Sequence, residues 1–183
     1  MTPILRSAAL AATLSAMLTP GLVAQTDAGT KPANPACALL TDQELDVTTG
    51  LNYGKADAFN DLGQGIFGGA TCLWGGVWDA DSTKSLPQIG VAFIPPGSRG
   101  SHTEFYRGRQ PEKGCTRETL RGVGDFAFAE ACQSSQPSMR IYMKAGRNDV
   151  FLVVDILFQR PLSWAQPVAV ALAKAAAPRA RKS

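Results

Sequence analysis

Met139-Arg140-Ile141-Tyr142-Met143-Lys144, then Ala145-Gly146-Arg147-Asn148-Asp149, then Val150-Phe151-Leu152-Val153-Val154-Asp155-Ile156-Leu157-Phe158 is the longest apolar block after the N-terminus. Two apolar runs separated by turn residues read as a β-hairpin. A turn centred between Arg147 and Asn148 sets Met139, Ile141 and Met143 opposite Ile156, Val154 and Leu152. That face is wholly apolar. The other face then pairs Lys144 with Phe151, Tyr142 with Val153, and Arg140 with Asp155, an opposite-charge pair. The block is a core hairpin, and it carries no catalytic motif.

Cys115 to Cys132 forms a second hairpin around Gly122-Val123-Gly124-Asp125. Pairing Gly122 with Asp125 puts Cys115 directly opposite Cys132, Arg117 opposite Glu130 and Thr119 opposite Phe128. Counting from the closing pair, Cys115 and Cys132 occupy a non-hydrogen-bonded site. The Cα separation there is about 4.5 Å, within disulfide reach. Val123 is not a favoured primed-turn residue, but a longer loop about the same centre keeps the register. The expected disulfides are Cys115–Cys132 and, by elimination, Cys37–Cys72.

Further strands are expected over Thr71–Trp78, with Gly75-Gly76 marking a bulge, and over Pro87–Ile94, with Ile89, Val91 and Phe93 on one face. Thr41 and Glu44 form a capping box, Leu40 staples onto Leu45, and Gly50 stops the chain. These signals predict a helix over 42–49. Ser101 and Glu104 open a second helix to about Arg109, with His102, Phe105, Tyr106 and Arg109 on one face. Ser163 and Gln166 cap an alanine-rich helix to Ala177, which Pro178 ends. Asn52 to Ala70 reads as a loop. Its glycines match no phosphate-binding spacing.

Residues 1–24 read as an export signal: Arg6 is the lone n-region charge, Ser7 to Leu18 is too short for a convincing span, and Ala24 offers cleavage. No lipobox cysteine follows. Residues 25–36 form a flexible leader, 37–178 one domain and 179–183 a basic tail. The order of elements predicts an α+β domain: a single twisted antiparallel sheet of about six strands, three helices on one face, and two disulfides.

The chain holds four cysteines, one histidine and a net charge of +3. Paired cysteines in an exported chain read as structural disulfides, giving a periplasmic or secreted location. One histidine without a C-x-x-C pair supplies no zinc site, and no other metal or cofactor is expected. The charge surplus is too small to predict nucleic-acid binding. No G-x-S-x-G, H-E-x-x-H or paired Cys/His arrangement is present, so no catalytic residue is assigned. His102 lacks partners that would make it a base, and Trp74, Trp78, Tyr106 and Trp164 read first as core. Carboxylates such as Asp79 and Asp81 leave a secreted hydrolase as the alternative function.

Pro35-Ala-Cys37-Ala-Leu-Leu-Thr-Asp-Gln-Glu44-Leu, Cys72-Leu-Trp74 and Gly122-Val-Gly-Asp125-Phe-Ala127 together resemble a family of small exported actinobacterial lipoproteins of unknown function. They are also similar to extracellular sensor domains of bacterial receptor kinases. The resemblance spans most of the chain after the signal. It implies an α+β extracellular module with two disulfides and no catalytic residues. The missing lipobox cysteine means that membrane anchoring does not carry over. The expected function is therefore an exported, non-enzymatic binding or sensor-like module whose partner is a small ligand or an envelope protein.

Overall fold

The computed structural model describes residues 34–59, 69–75, 86–98, 102–133, 137–156 and 160–183, with the side chains of 57–59 left out. The expected signal, most of the expected leader, Trp78, Asp79, Asp81 and Ser101 lie outside the described residues. Pro32–Ser183 is one compact unit.

Its elements run α1 (Asp42–Thr49), β1 (Asp57–Phe59), β2 (Ala70–Trp74), β3 (Gln88–Ile94), α2 (His102–Arg107), β4 (Cys115–Leu120), β5 (Phe126–Cys132), β6 (Ser138–Ala145), β7 (Asn148–Asp155) and α3 (Leu162–Lys182). All described strand pairs are antiparallel, in the order β1-β2-β3-β7-β6-β5-β4. The fold is the expected α+β arrangement. β1 adds a strand inside the segment read as loop, because three residues are too few to show a period. After β3 the chain passes through α2 to the far edge. The meander β4-β5-β6-β7 then walks back until β7 lies beside β3.

The β6–β7 hairpin keeps the predicted faces but not the predicted register. Ala145 pairs with Asn148, so the two-residue turn is Gly146-Arg147, one residue earlier than expected, and each pairing shifts by two. Gly146, at φ +62°, takes the first central position, where a two-residue hairpin favours glycine. Met139, Ile141 and Met143 therefore face Val154, Leu152 and Val150. A shift of two preserves the side-chain parity, so the alternation alone could not detect it. Asp155 sits opposite Ser138, and the opposite-charge pair of this hairpin is Lys144–Asp149, 3.1 Å apart. Arg140 instead binds Glu112 at 2.9 Å.

The β4–β5 register is the predicted one: Cys115↔Cys132, Arg117↔Glu130 and Thr119↔Phe128. Cys115–Cys132 and Cys37–Cys72 are both closed, with Cα separations of 4.0 and 5.1 Å. Residues 121–125 form the loop, longer than a two-residue turn but on the same centre.

Ile89, Val91, Ala127, Ala129, Met139, Ile141, Met143, Val150, Leu152 and Val154 share one sheet face and pack with α1 and α3 in the main core. In α3 the buried positions Ala165, Val168, Ala169, Leu172, Ala173 and Ala176 recur at helical spacing, and the alanines let the helix lie close to the sheet. α1 has the predicted bounds. Thr41 Oγ1 accepts from Glu44 N–H at 3.2 Å, Thr41 N–H donates to Glu44 Oε2 at 2.9 Å, and Gly50 closes the helix at φ +70°.

Three expectations about the helices are corrected. α2 lies on the opposite sheet face: its Tyr106 ring packs at a tilt against Tyr142 of β6, with centroids 4.8 Å apart. α3 starts at Leu162 behind Pro161 with no side-chain cap, because Gln166 reaches Glu118 of β4 instead. α3 also continues through Pro178 to Lys182, so 179–183 is no frayed tail. Proline costs an interior helix one hydrogen bond. Tertiary contacts offset that loss: Arg179 binds Glu44, Asn148 Nδ2 donates to Ala180 O at 2.6 Å, and Arg181 pairs with Asp125.

Candidate binding site at the β4 edge

β4 ends the sheet. Gln133 N–H donates to Gly114 O at 2.9 Å, so Gly114 and Gln133 form a hydrogen-bonded pair. Hydrogen-bonded and non-hydrogen-bonded pairs alternate in an antiparallel ladder. Thr116 and Glu118 therefore bond to β5, while Cys115, Arg117 and Thr119 turn their N–H and C=O groups away from it. The Cys115 N–H is used by Glu112 O at 2.9 Å. Arg117 and Thr119 present theirs along the outer edge.

On the α3 side of this edge lies a pocket of about 260 Å³, lined by Thr116, Arg117, Glu118, Ala131, Met139 and Gln166. Its origin is local packing. α3 packs on β6 and β7, and the β5 residues facing that side are the small Ala127, Ala129 and Ala131. The sheet thus extends past its helical cover. Gln166 Nε2, from the first turns of α3, donates to Glu118 Oε1 at 2.8 Å and fixes the carboxylate over the opening. Met139, 1% exposed, forms an apolar floor with Ala131.

The other side of β4 is closed by charge and aromatic packing. Arg117 Nε donates to Glu130 Oε1 at 2.9 Å, its Nη2 binds the same oxygen, and its Nη1 donates to Arg109 O at 2.6 Å. Glu130 is 1% exposed, and a carboxylate so far from water needs such a partner. The Arg117 guanidinium also lies 4.5 Å from the Phe128 ring centroid. Phe128 stacks on Tyr142 at 4.7 Å, and the Phe151 ring meets Tyr142 tilted, with centroids 5.0 Å apart. Burial, with Glu130 adding to it, pushes the Tyr142 hydroxyl well above the usual tyrosine range. Arg107 over Phe126 and Arg109 over Phe105 complete this layer beneath and beside α2.

The other described residues singled out in the sequence do not converge on a site. Trp74 is core, its Nε1 donating to Asp42 Oδ1 at 2.8 Å. Trp164 packs against the main core, while Tyr106 lies on the opposite face. His102 begins α2, where Thr103 N–H donates to Asp149 Oδ1 at 3.3 Å. Ser138 and Asp155 are paired at the other end of β7. Six strand residues span about 20 Å, so among the described residues His102 and Ser138 lie at opposite ends of β7. Among the described residues no three His, Cys, Asp or Glu side chains gather as a metal set.

Sequence reasoning found Arg117 and Glu130 through their register. It missed Glu118 with Gln166, because nothing local in the sequence announces a contact between residues so far apart.

Compared with protein-family models, curated proteins and solved structures, the chain matches none.

Proposed function

We propose that this chain is an exported, non-enzymatic binding module of the periplasm or cell exterior, sensor-like in the sense of the receptor-kinase domains it resembles, and that it engages its partner along β4. The carrying observation is the convergence at that edge of outward main-chain groups, a fixed carboxylate and an open pocket. Two disulfides fit an oxidising compartment. Among the described residues no helix is long and apolar enough to cross a membrane. Cys115–Cys132 pins the start of β4 to β5, so binding there pays little for ordering the strand.

The test is amide hydrogen exchange on protein recovered from its own host, compared with the same protein denatured, stripped and refolded with its disulfides intact. The outward amides of Arg117 and Thr119 should be slowed in the first sample and fast in the second. Equal, fast exchange in both contradicts the proposal.

A further inference from the structure

Resting on the reading of β4 as a binding edge, we infer that its occupant is an extended polypeptide segment that adds to the sheet beside β4 and directs a basic side chain onto Glu118. The outward N–H and C=O groups of Arg117 and Thr119 lie two residues apart on a regular strand, a spacing of roughly 7 Å. That is the repeat of a pairing strand, whose main chain supplies the complementary donors and acceptors.

The pocket volume, about 260 Å³, falls below the roughly 300–1,000 Å³ of sites that enclose a whole small molecule. It suits one side chain. Ala131 and Met139 accept a methylene stem, and Glu118 accepts a cationic head. Gln166 donates to Glu118, and among the described residues no Lys or Arg forms an ion pair with it. Arg117, the charge best placed to guard the edge, is instead turned to the opposite face by Glu130 and by the carbonyls of Arg107 and Arg109. Charged side chains are a usual means of blocking a sheet edge; here Arg117 is withdrawn and a carboxylate remains.

The experiment titrates the isotope-labelled, disulfide-intact protein with a short capped peptide of alternating threonine and valine around a central lysine. Amide shifts are followed by residue. Two control peptides carry glutamate at the centre or N-methylated alternate amides. The lysine peptide should move the Arg117, Glu118 and Thr119 amides and bind about tenfold more tightly than the glutamate peptide, a difference of about 1.4 kcal/mol. N-methylation should abolish the shifts. Glu118→Gln should reduce the lysine preference to below about twofold while leaving the β6 and β7 amides in place. Thr119→Pro removes a donor that points away from β5. It should weaken the lysine peptide several-fold.

Equal binding of lysine, glutamate and N-methylated peptides overturns the inference, as does a lysine peptide that leaves β4 unmoved. Concentration-dependent β4 shifts without peptide, with dimer in sedimentation, also overturn it by assigning the edge to a second copy. If no basic peptide binds but the host-recovered protein still protects Arg117 and Thr119, the peptide assignment alone fails. If protection is absent too, the binding reading fails with it.

Discussion

Arg179, near the end of α3, grips Glu44, the capping-box residue of α1, through two N–H···O bonds of 2.7 Å, while its Nη1 also donates to Leu39 O at 2.9 Å. One guanidinium thus ties the two helices of the main core and holds the chain beside Cys37. The hydrogen bond from Arg179, with further help from Thr41, lowers the Glu44 carboxyl from 4.5 to about 2. A depressed carboxylate stabilises the fold fully above its unfolded value and progressively less as pH falls through its folded value. Stability from this pair should therefore be present above about pH 4.5 and lost toward pH 2. Both side chains are about one-third exposed, so solvent screening limits the pair to about 1 kcal/mol. Arg179→Ala should lose about that much at pH 7 by urea denaturation and show a flatter stability profile between those pH values.

Arg117 and Glu130 should behave differently, because Glu130 is buried. Arg117→Ala strands a carboxylate away from water and should cost about 3–5 kcal/mol. Replacing both, as Arg117→Met with Glu130→Leu, should recover most of that loss. Chemical denaturation of the two variants decides it. Equal destabilisation by the single and double changes would show that the ion pair is not what holds β4 to β5.

The β4–β5 loop offers a glycine comparison. Gly124 has φ +59°, and a Cβ there would sit 2.3 Å from Lys144 O and 2.8 Å from Met143 Cγ. Gly122 has φ +71° with nothing within 4 Å. Gly122→Ala should cost about 1–2 kcal/mol, the left-handed backbone penalty. Gly124→Ala adds a backbone clash and should cost clearly more, about 3 kcal/mol or above. Thermal melts of the two variants should keep that order.

Non-reducing peptide mapping should return Cys37–Cys72 and Cys115–Cys132 alone. Their sequence separations are 35 and 17. In the chain-entropy model, loss of either costs about 3–4 kcal/mol, with the longer loop costing slightly more. Double serine variants compared by urea denaturation test that order.

Much of this fold can be read directly from residues with a local or periodic signature. The Thr41–Glu44 box placed α1 to the residue, since both its partners lie within one turn. The Gly122–Asp125 centre and the Arg117–Glu130 pair gave β4–β5 its register and so a disulfide. The β6–β7 hairpin was different. Alternation fixes only parity, and the choice of a turn at Gly146-Arg147 had to come from glycine geometry. The course of α3 past Pro178 depends on Glu44, Asn148 and Asp125, all distant in sequence, so local propensity pointed to the wrong end. The pocket was hidden for the same reason: Glu118 and Gln166 meet only because α3 packs across β6 and β7.

The central functional claim is that the folded, exported chain holds a partner along β4. Native mass spectrometry of protein recovered from its own host tests it most directly. The predicted result is a chain beginning near Gln25, with both disulfides closed, carrying a non-covalent peptide or protein that dissociates in the Thr119→Pro variant. A bare chain with no retained species, or a retained species unaffected by Thr119→Pro, would contradict it.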